Sequence, residues 1–197
     1  MRIKASLAMV LLLSAPADAQ EKTISFHAGV TFETGDTWRY EGRKFRLFGV
    51  QSCLRGTAYR APGGVEEDCG LRSIGSLAAL FSTGTVACQP MGAANDDATF
   101  VVCAAELDGE MIDVGTALIS SGAAFAAVRP SGTVVLSSYA IAESVAKENQ
   151  SGLWAGQFIH PNAVLAANSE GFQVDLESLY DARDLPHGER LPPAGME

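Results

Sequence analysis

Arg43-Lys44-Phe45-Arg46-Leu47-Phe48-Gly49-Val50-Gln51-Ser52-Cys53-Leu54 is the stretch on which the fold turns. Phe45, Leu47 and Gly49 alternate with Arg46, Phe48 and Val50, the period-two pattern that puts successive side chains on opposite faces of a strand. A strand is therefore expected over residues 44–50, with Arg46 on one face. It runs directly into a polar loop that holds a cysteine. That loop brings Gln51, Ser52 and Leu54 up to the arginine and no acid.

Working outward, Ile24, Phe26, Val30 and Phe32 fall at even positions between Thr23 and Phe32, a first strand. Glu33-Thr34-Gly35-Asp36 reads as a turn, Thr37-Trp38-Arg39-Tyr40 as a second strand and Glu41-Gly42 as another turn. With residues 44–50 these make a three-stranded meander. Downstream, residues 58–67 are rich in Gly, Pro and Glu and are expected as loop. Asp68 then caps a helix whose Leu71, Ile74, Leu77 and Phe81 recur at helical spacing.

Residues 85–89 and 99–107 read as two more strands, separated by a polar loop at 92–97. Antiparallel pairing would place Cys88 opposite Cys103, a separation that a disulfide spans. Asp108-Gly109 is a tight-turn signal, and Asp113 caps a short helix around Ala117, Leu118 and Ile119 that stops at Ser121-Gly122. After the small apolar run at 123–128, Val135, Tyr139, Ala142 and Ala146 mark a longer helix. Gly152-Leu153-Trp154 closes the domain, with Trp154 expected as a core plug. Short strands joined by turns, then a helix, then more strands, fit a small barrel better than a parallel α/β sheet.

The ends of the chain differ from its middle. Arg2 and Lys4 precede an apolar run over residues 5–13 that is too short to span a bilayer, and Ala17-Asp18-Ala19 follows. This is the pattern of a secretory signal peptide, residues 1–19, and implies a periplasmic or secreted protein with no later membrane span. Cleavage there leaves 178 residues, with 12 basic against 22 acidic side chains and a net charge of −10. So acidic a surface disfavours nucleic acid, whose backbone is bound chiefly through Lys and Arg. Four cysteines remain, without a C-x-x-C pair or a nearby histidine, so two disulfides are expected in place of a metal site; four cysteines allow three pairings. The domain spans residues 20–160. Residues 161–197 change composition: from 168 onward seven acidic residues stand against two basic, the signature of an acidic, mobile tail, within which Phe172, Leu176, Leu179 and Tyr180 would share one helical face.

Several phrases, in order across residues 23–160, resemble the staphylococcal nuclease-like (thermonuclease) family: Gly35-Asp36-Thr37, Phe45-Arg46-Leu47-Phe48-Gly49-Val50, Cys69-Gly70, Asp108-Gly109, Ile112-Asp113-Val114, Ala117-Leu118 through Gly122-Ala123, and Glu143 through Gly152-Leu153-Trp154. The resemblance implies a five-stranded OB-type barrel with three helices. It also supports the pairings Cys53–Cys69 and Cys88–Cys103, because the exported bacterial branch carries cysteines near these places.

Carried over residue by residue, the family's calcium-dependent phosphodiesterase apparatus looks incomplete. The first metal aspartate corresponds to Asp36 and the first catalytic arginine to Arg46. Gln51 stands at the second metal aspartate, and Ser52 retains the backbone carbonyl of a metal-ligating threonine. Leu54 replaces the glutamate beside the attacking water, and Ala98 lies at the second arginine's place, with Asp96 and Asp97 adjacent. Losing one charged transition-state donor costs about 3 to 4 kcal/mol, and here a donor, a metal carboxylate and the glutamate are all replaced.

Arg46 then has two readings, a leftover anion contact or a structural arginine paired with an acid such as Asp36. Glu66, Glu67 and Asp68 are the acids that would have to replace those lost, and Arg55 or Arg72 the arginine. The expectation is a degenerate site with no resident cofactor, acting as a binding or accessory module for an envelope protein or glycan in an exopolysaccharide setting. The alternatives are a calcium-dependent nuclease with a rearranged site, or a structural envelope protein that works through its acidic tail. His27, His160 and His187 are far apart in sequence and suggest no catalyst.

Overall fold

In the computed structural model, residues 23–169 are described; residues 1–22, which include the stretch expected as a signal peptide, and the acidic segment from residue 170 onward lie outside them. The described residues are mainly β with four α-helices. In order it forms β1 (Ile24–Phe26), β2 (Thr31–Thr34), β3 (Thr37–Tyr40), β4 (Arg43–Leu47), β5 (Val50–Ser52), β6 (Ala58–Arg60) and β7 (Glu66–Asp68). There follow α1 (Cys69–Ser82), β8 (Val86–Ala93), β9 (Ala98–Leu107), β10 (Glu110–Asp113), α2 (Val114–Ser120) and β11 (Ala124–Ala126). The last elements are α3 (Ser137–Glu148), a 3-10 turn (Gly152–Ala155), β12 (Gln157–Phe158) and α4 (Pro161–Ser169).

The main sheet runs β1-β8-β9-β4-β3-β2, with β10 also paired to β9, and curls into a half-barrel. The meander β2-β3-β4 is antiparallel, as its alternation implies: Phe45 and Leu47 are buried while Lys44 and Arg46 face out. Two expected strands are broken. Residues 23–32 split into β1, on β8 at one end of the sheet order, and β2, on β3 at the other. Residues 44–50 end as a strand at Leu47, because Gly49 sits at φ +76, a conformation that reverses the chain into β5 and a separate pairing with β11.

The stretch expected as loop at 58–67 instead contains β6 and β7, which pair with each other, and β12 completes that small sheet. Beyond Pro161, where a tail is expected, the chain first makes α4 against β5. The half-barrel thus has four helices among the described residues, one more than the resemblance implies.

Both caps are where the sequence puts them. The Asp68 carboxylate accepts the Leu71 N–H at 2.8 Å to start α1, and Asp113 accepts the Thr116 N–H at 2.6 Å to start α2. Trp38 is fully buried at the centre of the larger core, edge-on to Phe26 and Phe81 at 5.3 and 5.0 Å. A second core gathers Tyr59, Phe125, Leu153 and Phe158 around the Cys53–Cys69 bridge, with the half-buried Trp154 packed against Phe125.

Both disulfides join the expected partners. Cys88 and Cys103 face each other across β8 and β9, and Cys53–Cys69 ties the loop after β5 to the first residue of α1. With sequence separations of 16 and 15, each closes a loop worth about 3 kcal/mol in restricted unfolded-chain entropy. Such bridges are consistent with an extracellular or periplasmic location. Among the described residues no helix is long and apolar enough to cross a membrane.

Candidate functional site: a groove beside Arg46

Beside the break at Gly49 lies a groove of about 520 Å³ between β4, β5, the loop that carries Ala127, Val128 and Val135, and α4. β4 presents Arg46 to it, and the parallel pairing of β4 with β9 brings Phe100 directly beside that arginine. Phe48, just past β4, meets Phe100 edge-on at 5.7 Å. Leu54, Val128, Val135 and Leu165 extend the apolar wall, and Arg55 stands at its rim. The result is a mostly apolar trough with two half-buried aromatic rings and two guanidinium groups.

Arg46 is held on two sides. Its Nη2 donates to Asp96 Oδ2 at 2.9 Å, and its Nε donates to Thr37 Oγ1 at 3.0 Å. The structural pairing is therefore with Asp96, not with Asp36; Asp36 is reached only through the Thr37 hydroxyl, which donates to Asp36 Oδ1 at 2.9 Å. Lys44 shares the same Asp96 oxygen at 2.7 Å and lies 3.7 Å from Glu33. The Lys44 hydrogen bond, opposed in part by desolvation and assisted by the Arg46 charge, holds the Asp96 carboxyl below its ordinary pKa.

Asp36 is 5% exposed, and its oxygens are already engaged. Oδ1 accepts the hydroxyls of Thr34 and Thr37, and Oδ2 accepts the Ser52 N–H at 3.2 Å. These bonds tie the β2–β3 turn to β5. Gln51, which the resemblance sets against a metal-binding acid, donates its Nε2 to the Ser52 carbonyl at 2.9 Å. The one backbone oxygen that would ligate a cation thus already accepts an N–H. Calcium takes about six to eight oxygens, several of them carboxylate. One carboxylate bound to hydroxyls and an amide-capped carbonyl do not fit it, and among the described residues no three acids, histidines or cysteines converge as a metal cluster.

The acids considered as replacements lie elsewhere. Asp68 spends Oδ1 on Leu71 and Oδ2 on the Gly56 N–H, with Arg55 Nε 3.7 Å away. Burial pushes its pKa up, but the Gly56 and Leu71 N–H groups and the Arg55 charge outweigh that and leave it lowered. Glu67 pairs with Arg72 at 2.8 Å and Glu66 lies 3.7 Å from Arg60. All three line a separate depression beside Gly56–Ala58. Of the replacement arginines, Arg55 reaches the groove, whereas Arg72 lies over the Tyr59 ring at 4.8 Å. Leu54 is in the groove wall, and Ala98 is buried at the start of β9 opposite Lys44.

Sequence reasoning missed Phe48 and Phe100 as a pair, and Asp96 as the partner of Arg46. Only the outward position of Phe48 on an alternating strand carried a signal. His160 does not line the groove; it packs on Phe125 at 4.5 Å and contacts Glu143 at 3.3 Å. No protein-family model matches the chain, and no curated protein matches it.

Proposed function

We propose that this chain is an exported, catalytically degenerate relative of the staphylococcal nuclease-like family, built on an OB-type barrel, whose groove binds an oligosaccharide of the cell envelope. The observation that carries this reading is the state of Asp36: among the described residues it is the one carboxylate lining the groove, and its oxygens serve as structural acceptors. Hydrolysis of a phosphodiester needs a cation held by several acids and opposed guanidiniums around the phosphate. Among the described residues the acids are what is missing: Arg46 and Arg55 both line the groove, but Asp36 is the one carboxylate beside them.

What the groove offers instead is surface for a ring-shaped, partly charged oligomer. Phe48 and Phe100 give flat apolar faces for sugar rings, and Arg55 with Arg46 gives hydrogen-bond donors suited to a carboxylate. OB barrels take oligosaccharides as readily as oligonucleotides, and the net charge of the mature chain weighs against the latter. The disulfides and the leader pattern support an envelope setting.

Titration calorimetry of the oxidised mature protein tests this, with oligogalacturonate as the carboxylated probe and a cello-oligosaccharide as the neutral one. Binding of the carboxylated oligomer, weakened about tenfold or more by Phe100→Ala and by Arg55→Ala, is the expected result. No binding of either sugar, together with calcium-dependent breakdown of DNA or RNA, would establish the rival reading of a rearranged nuclease.

A further inference from the structure

We propose that the groove continues into a second subsite, the charged depression beside the β3–β4 turn, and that the ligand is an oligosaccharide with several carboxylates, one of them held there by Arg43. The inference rests on the groove being a sugar site, as proposed above, and extends the ligand beyond it.

Three observations converge. First, the depression adjoins the groove. It measures about 340 Å³, and Arg39, Arg43, Lys44, Asp96 and Asp97 are among its lining residues. Arg46 in the groove and Lys44 in the depression are alternate outward residues of β4, about 7 Å apart along the strand, and both donate to Asp96 Oδ2. An oligomer lying along the outer face of β4 passes from one to the other over a single carboxylate. Second, cations are concentrated here. In a chain of formal net charge −9, four of the nine Lys and Arg residues between positions 23 and 169 stand within residues 39–46. Glu33 holds Arg39, and Asp96 holds Lys44 and Arg46. Arg43 is exposed and makes no ion pair among the described residues, and its guanidinium lies 5.0 Å over the Phe45 ring. Stacking fixes that guanidinium while leaving its N–H donors to meet a ligand carboxylate. Third, the depression also presents an acceptor. Asp97, held at φ +60 in the β8–β9 turn, makes no ion pair among the described residues.

This lining separates the classes of anion. Apart from Gly42, every residue of the depression has a polar or charged side chain, in contrast to the apolar groove wall. A bare polyanion would gain Arg43 but meet the like charge of Asp97, whereas a uronic acid gives its carboxylate to Arg43 and a ring hydroxyl to Asp97. The groove thus supplies stacking surface for one sugar and the depression supplies charged and hydroxyl contacts for another further along the oligomer. Affinity then rises with length until one molecule fills both, because the second contact is made within a molecule already bound.

Titration calorimetry of the oxidised mature protein with a galacturonate dimer and with a long oligogalacturonate tests this. The long oligomer should bind the wild-type chain about tenfold or more tighter than the dimer. Arg43→Gln should remove that advantage and leave dimer binding unchanged. Arg60→Gln, which removes the same charge from an exposed arginine outside both the groove and the depression, should change neither affinity. Asp97→Gly, which suits the positive φ, should weaken the long oligomer several-fold; tighter binding in that variant would mean bare charge attraction and overturn the sugar assignment. Equal affinity for the two lengths, or an advantage that survives Arg43→Gln, would overturn the second subsite, and the groove reading would still stand if Phe100→Ala weakened the dimer. A length advantage lost in Arg43→Gln but untouched by Phe100→Ala would strike the groove reading and uphold the depression as a sugar site. No binding of either oligomer would overturn both.

Discussion

Arg46 Nη2 lies 2.9 Å from Asp96 Oδ2, so the one guanidinium on the groove-facing side of β4 is already neutralised by an acid 50 residues away in sequence. In a phosphodiesterase that charge would be held open for the developing negative charge of the phosphate. Here it is part of a surface network in which Lys44 and Arg46 converge on one carboxylate. On the proposed reading, Asp96 therefore sets how strongly the groove attracts anions.

Asp96→Asn should release Arg46 toward the groove. Affinity for a carboxylated oligomer should rise by about 3- to 10-fold, in keeping with the modest worth of a solvent-exposed ion pair, and the melting temperature should change little. Calorimetric titration alongside a thermal melt checks both halves. An unchanged affinity would mean that Arg46 takes no part in binding.

The depressed carboxyls give a pH dependence of defined sign. Asp96 and Asp68 both have folded-state pKa values below the ordinary one. Their stabilising contribution is fully present above the unfolded value of about 3.9 and is lost as pH falls through the folded values. Urea midpoints measured from pH 6 to pH 2 should therefore drop below about pH 4, and the drop should be shallower in Asp96→Asn.

Ser73 on α1 is buried and bonded on both sides: its hydroxyl accepts the Cys53 N–H at 3.2 Å and donates to the Ala123 carbonyl at 2.6 Å. Ser73→Ala leaves both backbone groups unpaired in the interior beside the groove's disulfide. A loss of about 1–3 kcal/mol is expected in chemical denaturation of the oxidised protein.

Two glycines of the same helix should respond in opposite directions. A Cβ on Gly70 would stand 2.6 Å from the Arg55 backbone nitrogen and 2.8 Å from the Leu54 carbonyl carbon, so Gly70→Ala must push α1 away from the groove rim, at a cost of about 1–3 kcal/mol. Gly75 has nothing within 4 Å of that position. Gly75→Ala should stabilise by about 0.5–1 kcal/mol through helix propensity alone. Paired denaturation curves decide it.

The sequence was most informative where structure is local. Alternation at Phe45, Arg46 and Leu47, the caps Asp68 and Asp113, and the facing pair Cys88 and Cys103 all depend on neighbours within one element or one hairpin, and all are found in place. What escaped depends on distant partners. β6 and β7 are strands because 58–60 pairs with 66–68 and 157–158, not because of their own propensity. The parallel β4–β9 pairing, which creates the Phe48–Phe100 wall, joins segments about fifty residues apart with no turn to announce it. The resemblance singles out Asp36 and Arg46, but their connection through Thr37 and the capture of Arg46 by Asp96 required the fold. α4 was hidden within a stretch whose composition is dominated by the acids that follow it.

The central claim is that the groove binds without cleaving. It is tested most directly by incubating the oxidised mature protein with plasmid DNA and with RNA at millimolar calcium, beside the Arg46→Ala variant and a chelator control. Both nucleic acids should remain intact, with wild-type and variant samples indistinguishable. Calcium-dependent degradation that disappears in Arg46→Ala would contradict the claim and make the chain a nuclease.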